Sequence, residues 1–175
     1  MALIKLNNQS LSAVTSAGLP SGTVLQVKSV SSNTHQTINQ TSYTDITGMS
    51  VSITPTSTSS KILVIASVSA SKDNAHSGLV QLVRGSTAIG GGSGSGSHLN
   101  NVMFNIRDSS QYYVPSHSQS YLDSPSTTSA TTYKLQGKTT QASNPLYVNR
   151  TRNNNTTQEY DSPVATTLTV MEIAG

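Results

Sequence analysis

The chain has no cysteine and no tryptophan, a single phenylalanine, Phe104, and only two glutamates, Glu159 and Glu172. Without cysteine there are neither disulfides nor thiolate metal sites, so the fold must hold by packing in any redox compartment. Charged residues make up 10% of the 175, against about 25% in an ordinary globular domain. Ten Lys and Arg face seven Asp and Glu, for a net charge of +3. The pI near 9.3 thus comes from scattered cations and not from a basic patch. The closest basic pairs, Arg150 with Arg152 and Lys134 with Lys138, lack the basic and aromatic neighbours of a groove that tracks phosphates, which argues against nucleic acid as a partner. No stretch approaches the roughly 20 apolar residues of a membrane span. The opening residues contain Lys5 and a few aliphatics, but Asn7, Asn8, Gln9 and Ser10 interrupt them, which argues against a secretion signal.

Chemistry-bearing residues are equally sparse. His35, His76, His98 and His117 stand alone, with no His-x-His or His-x-x-x-His spacing and no nearby carboxylate pair, so neither zinc nor a catalytic triad has support. The acids are scattered and form neither a glycosidase pair nor a calcium loop. We therefore expect no enzyme activity, cofactor or metal. Asn8, Asn39, Asn149 and Asn154 begin N-x-S/T triplets, which an Asn- and Thr-rich chain produces by chance.

What the chain does have is hydroxyl. Ser and Thr supply 54 residues, and the β-branched residues fall in alternating blocks rather than in the low-hydrophobicity, high-charge pattern of disorder. The densest block is MSVSITPTSTSSKILVIASVSAS, residues 49–71. Val51 and Ile53 alternate with serine and threonine as a strand with one wet face. Pro55 to Ser60 reads as an exposed turn. Ile62 to Ala66 is apolar at every position and needs cover on both faces, one of them from another layer or subunit. Further strands are expected over Thr23–Val30, Tyr43–Thr47, Leu79–Arg84, Val102–Ile106, Thr131–Lys138, Leu146–Val148 and Ala165–Ile173, with Gln111–Val114 carrying Tyr112 and Tyr113. The run GGGSGSGS, Gly90 to Ser97, reads as a flexible loop; a phosphate cradle would need a following Lys-Ser/Thr or a βαβ setting. Nine or ten short strands with no helical window predict an all-β sandwich of jelly-roll type over residues 21–175.

Residues 1–20 differ. Leu3, Ile4, Leu6, Leu11, Val14 and Leu19 are spaced without a strand or helix period, and we read them as an extended docking arm that buries these side chains against another subunit or protein. Among the seven tyrosines, Tyr133 and Tyr147 lie in strand patterns and suit packing. Tyr112, Tyr113 and Tyr160 are the candidates for surface contact, since tyrosine on loops can stack on a sugar ring and hydrogen-bond to hydroxyls.

The segments AVTSAGLPSGTVLQV (13–27), SITPTSTSSKILV within 44–69, LVRGSTAIG (82–90), LDSPSTTSATTYK within 121–138, LYVNRT (146–151) and TLTVMEIAG (167–175) resemble a family of small structural proteins of tailed bacteriophages, abundant in marine and cyanobacterial phages. The resemblance runs in order over nearly the whole chain. It implies a trimeric jelly-roll or sandwich head, similar to those of tumour-necrosis-factor-like proteins, joined to the virion by its N-terminal part, and it carries no catalytic motif. The expected function is a tail-fibre or fibre-tip component of the virion that contributes to attachment at a host-surface glycan. The alternative is a capsid decoration or cement protein, or a tail or baseplate adaptor, with no receptor binding.

Overall fold

The computed structural model describes residues 19–72, 76–107 and 110–175. Eleven strands run through them: β1 Val24–Ser32, β2 Gln36–Ile38, β3 Thr44–Ile53, β4 Lys61–Ser71, β5 Gly78–Arg84, β6 Thr87–Ile89, β7 Phe104–Ile106, β8 Ser116–Asp123, β9 Thr131–Thr139, β10 Leu146–Val148 and β11 Thr166–Ile173. A single 3-10 turn, Glu159–Asp161, is the only helical element among the described residues. The strands form two antiparallel sheets, consistent with a β-sandwich. In the first the order is β1-β11-β4-β10-β2, with β8 also paired to β4; in the second it is β3-β9-β5-β6, with β7 also paired to β5.

Alternation in the sequence decides which side chains meet between the sheets. On β4, Ile62, Val64, Ala66 and Val68 are fully buried, and on β11 Leu168 and Val170 join them. Met49, Val51 and Ile53 of β3 and Tyr133 and Leu135 of β9 face them from the second sheet. Phe104 is buried in the same core. The expected strand Tyr43–Thr47 and the strand of Val51 and Ile53 are one: β3 runs unbroken from Thr44 to Ile53, with a register shift between Asp45 and Ser50. Gly48 sits in that shift at φ +77°, where a β-bulge favours glycine. Gln111–Val114, expected to be extended, is a turn and loop that leads into β8.

At one end of the sandwich the two sheets approach closely. A methyl group added at Gly137 of β9 would lie 2.8 Å from Ile38 Cδ1, and one at Gly78 of β5 would lie 2.6 Å from Leu146 Cδ1. Two glycines thus make room for the aliphatics of the short strands β2 and β10, closing the core there.

The other end is closed by hydrogen bonds to acids. Pro55 and Ser60, expected in an exposed turn, are buried, because the loop folds over Glu172. The Glu172 side chain is completely withdrawn from water. Its Oε1 accepts from the Thr56 backbone N–H at 2.6 Å, Thr56 Oγ1 at 2.7 Å and Ser60 Oγ at 2.7 Å, and its Oε2 accepts from Gln26 Nε2 at 2.6 Å. Burial alone would raise this carboxyl's pKa, but the four donors overcome that and hold it below the usual carboxylate range. Asp123 does the same work between sheets. On β8 of the first sheet, it accepts from the Tyr133 hydroxyl of β9 at 2.6 Å and from Arg84 of β5 at 2.8 and 2.9 Å. Burial, and then the bond to this carboxylate, push the Tyr133 hydroxyl well above its ordinary pKa.

Two outcomes follow from this closure. Gly137→Ala should cost about 1–3 kcal/mol of stability through overpacking against Ile38, measured by urea unfolding. Because the folded-state pKa of Glu172 is depressed, its contribution is complete above the unfolded value of about 4.3 and is lost as the pH falls through the lower folded value. Glu172→Gln places amide hydrogens against donors and should cost about 2 kcal/mol at pH 7. The gap from the parent should narrow on acidification, and a gap unchanged at pH 3 would contradict the assignment.

Candidate binding surface around Tyr112 and Tyr160

Between β10 and β11 the chain leaves the sheet for a polar excursion, residues 149–165. Asn149 starts it at φ +63°, a left-handed conformation that asparagine tolerates. Its Nδ2 donates to the Ser32 and Thr34 carbonyls at 2.9 and 3.0 Å, and its Oδ1 accepts from Thr166 Oγ1 at 2.7 Å. The two feet of the loop are thereby tied to each other and to the end of β1. Next to it, the Arg150 guanidinium lies 4.4 Å from the centre of the Tyr147 ring and donates to Thr37 Oγ1 at 2.8 Å. Burial lowers the pKa of Arg150, partly countered by Tyr147.

Asp161 gathers the tip. The Thr151 hydroxyl donates to its Oδ1, while Asn153 Nδ2 and the Asn155 backbone N–H donate to its Oδ2 at 2.7 and 2.8 Å. Burial would raise the pKa of this carboxyl, yet the three donors hold it below the usual range. With Asp161 turned inward on the 3-10 turn, its neighbour Tyr160 projects outward. The rings of Tyr160 and Tyr112 meet edge to face, 5.1 Å apart and at 75°. The Asn153 backbone N–H donates to the Gln111 carbonyl at 3.1 Å, which fastens the two loops together.

Tyr112, Tyr113 and Tyr160 are 47, 58 and 55% exposed. The structure thus unites two of the three candidate tyrosines and leaves Tyr113 outside the ring pair. Beside Tyr160 lies a hollow of about 370 Å³ lined by His35, the polar run Asn154–Glu159, Asp161, Ser162 and Pro163. Sequence reading passed over this lining, and the three consecutive asparagines were the one available signal. Of the arm residues, Leu19 is half-buried, and Leu3, Ile4, Leu6, Leu11 and Val14 lie outside the described residues. The histidines are dispersed: His35 borders the hollow, and His117 packs 6.1 Å from Phe104. Among the described residues no group of three or more His, Asp and Glu is placed to hold a metal ion, and no helix is long and apolar enough to cross a membrane. The basic pair Lys134 and Lys138 is engaged at two separate partners: Lys134 with Asp45 at 2.9 Å, Lys138 over the Tyr43 ring at 4.9 Å. No protein-family model matches the chain, and no curated protein is significantly similar to it.

The carboxylate at the centre of the loop sets its pH response. Since the folded pKa of Asp161 is depressed, its ordering of the excursion is complete at neutral pH and is lost as the pH falls below the ordinary carboxylate range. Asp161→Asn should leave the sheets intact and raise amide exchange in residues 151–160 at least tenfold at pH 7, measured by hydrogen exchange. Unchanged exchange there would show that the loop is ordered by other contacts.

Proposed function

We propose that this chain is a structural protein of a tailed bacteriophage particle, a homotrimeric tail-fibre or fibre-tip component whose loops contact a glycan on the host surface. One observation carries the reading: the chain's N-terminal approach and its tyrosine loops lie at opposite ends of one sheet. The Gly22 backbone N–H donates to the Ala174 carbonyl at 2.8 Å, just beyond the C-terminal end of β11, whereas the 149–165 excursion enters the same strand at Thr166. Eight residues at about 3.3 Å each separate these ends by roughly 26 Å. An N-terminal arm bearing Leu3, Ile4, Leu6, Leu11, Val14 and Leu19 would dock to other virion proteins at one end, leaving Tyr112, Tyr113 and Tyr160 free at the other.

The order of pairing supports a jelly roll. β1 pairs with β11, β3 with β9, β4 with β8, and β5 with β6 and β7. These pairs are nested in sequence and alternate between the two sheets, as they do when one long antiparallel ribbon is wrapped into a sandwich. The chemistry of the hollow narrows the ligand. Amide, hydroxyl, carboxylate and imidazole groups suit sugar hydroxyls, exposed tyrosine faces suit the C–H face of a pyranose, and the lining holds no lysine or arginine. A neutral or amino sugar fits this better than an acidic one. No catalysis, nucleic acid or membrane insertion enters the proposal.

Tyr112→Ala combined with Tyr160→Ala should reduce binding of the purified protein to host cells about tenfold, equivalent to roughly 1.4 kcal/mol, with the melting temperature unchanged. Gold label on intact particles should fall on the tail. Label on the capsid, together with undiminished cell binding by the double variant, would replace this reading with a decoration or cement role.

A further inference from the structure

The two outer faces of the sandwich differ in how they meet water. The outer face of the second sheet carries its own polar ladder. Gln81 Nε2 donates to Gln136 Oε1 at 2.8 Å, Gln136 Nε2 to Asp45 Oδ1 at 2.7 Å, and Lys134 Nζ to Asp45 Oδ2 at 3.0 Å. The outer face of the first sheet has no such charged ladder, only hydroxyl pairs: Ser29 with Thr169 and Ser69 with Ser116, both at 2.8 Å. Its register aligns Val27 of β1, Met171 of β11, Leu63 of β4 and Leu122 of β8 in one row across four strands. Val24 and Ile173 are paired on one side of that row, and Ile65 lies on the other. Val24, Val27 and Leu122 are 50, 51 and 54% exposed. Beyond Ile65 the four-strand face continues with hydroxyls, among them Ser29, Thr169 and Ser120; Lys61 lies at one rim, and at the far end, beyond Ser71, Arg150 covers the Tyr147 ring of β10.

We infer that this face is the contact between copies of the chain, with the apolar row Val27–Met171–Leu63–Leu122 at its centre. It makes specific the homotrimer proposed above and rests on that reading, but not on glycan binding. Four strands about 4.8 Å apart and eight residues at about 3.3 Å give a face near 19 by 26 Å, or roughly 500 Å² in projection. Standing side chains enlarge the accessible area, which brings it toward the roughly 800 Å² per partner of a stable interface. An unlike partner is normally specified by complementary charge, and the rows at the centre of this face carry none, Lys61 and Arg150 lying at its two ends. Around a three-fold axis this face of each copy would turn toward the axis, so that apolar row meets apolar row and hydroxyl meets hydroxyl. The other copies would also supply the second cover that the Ile62–Ala66 stretch lacks within one chain, where Leu63 and Ile65 remain half-exposed.

Mass measurement by light scattering at micromolar concentration tests this. The parent chain should return three times 18.3 kDa, and Val27→Asp with Leu122→Asp should return 18.3 kDa with an unchanged circular-dichroism spectrum. Because the chain has no cysteine, Ser120→Cys gives a single thiol. It should react with a maleimide at least tenfold more slowly in the parent background than in the aspartate background. A monomeric parent would overturn both the trimer and this face. A dimeric parent that the two aspartates dissociate would overturn the trimer and uphold the face. A trimer that survives both aspartates, with Ser120→Cys equally reactive in both backgrounds, would overturn the face alone. Deletion of residues 2–18 should leave the oligomer in place; a monomer would show that this segment, and not the sheet, joins the copies.

Discussion

Three carboxylates withdrawn from water organise this molecule. Among the described residues the acids Asp123, Asp161 and Glu172 are buried, and each collects several hydrogen bonds. Burying an ion without partners would cost far more than a single-domain protein can bear. The donors are mostly neutral, namely hydroxyls, amides and backbone N–H groups, and Arg84 is the one cation among them. A chain rich in Ser, Thr and Asn has such donors wherever a loop passes. It can therefore use a lone carboxylate as a hub, where a more charged protein would use an ion pair. Charge-assisted hydrogen bonds are stronger than neutral ones, so a few acids compensate for a composition short of large apolar side chains.

Each hub fixes a different joint. Asp123 locks β8 of one sheet to β5 and β9 of the other. Glu172 draws the loop at Thr56 and Ser60 and the side chain of Gln26 over the end of the core where the N-terminal approach arrives. Asp161 shapes the excursion at the opposite end, and by turning inward it sends Tyr160 outward to Tyr112. The position of the candidate binding surface is thus a consequence of where one aspartate is buried. Its height above the sheet is set by Asn149, whose amide ties the end of β1 to the start of β11.

Much of the framework was legible in the sequence because alternation marks a strand whenever one face is buried. β5, β9, β10 and β11 fall within a residue of the expected bounds, and β1 within two. β8 was missed over Ser116–Ser120 for a physical reason. Its inward positions are His117, Gln119, Tyr121 and Asp123, of which only Tyr121 is a hydrophobic residue packed against the core, so hydropathy shows no period even though pairing with β4 supplies the ladder. β2 and β6, three residues each, exist by virtue of their neighbours. The hubs were illegible for a related reason. Glu172 is 116 residues from Thr56 and 146 from Gln26, and an isolated acid in sequence gives no hint that a distant loop will close over it. The Tyr112–Tyr160 contact likewise depends on two loops that only the sandwich brings together.

The ends and faces of the sandwich combine into one directional design. The apolar rows Val24–Ile173 and Val27–Met171–Leu63–Leu122 lie at the end where the N-terminal segment arrives, and the hydroxyl rows of the same face lead toward the tyrosine loops. Association between copies, driven by apolar burial, would be concentrated near the anchored end. The hydroxyl rows would pack with far less driving force, and the loops beyond them would be held only by their own hubs. Loops stabilised by local hydrogen bonds can vary in sequence without disturbing the packing of the sheets. The sheets' apolar rows and the candidate binding surface on the loops are separated here by the length of a single strand, β11.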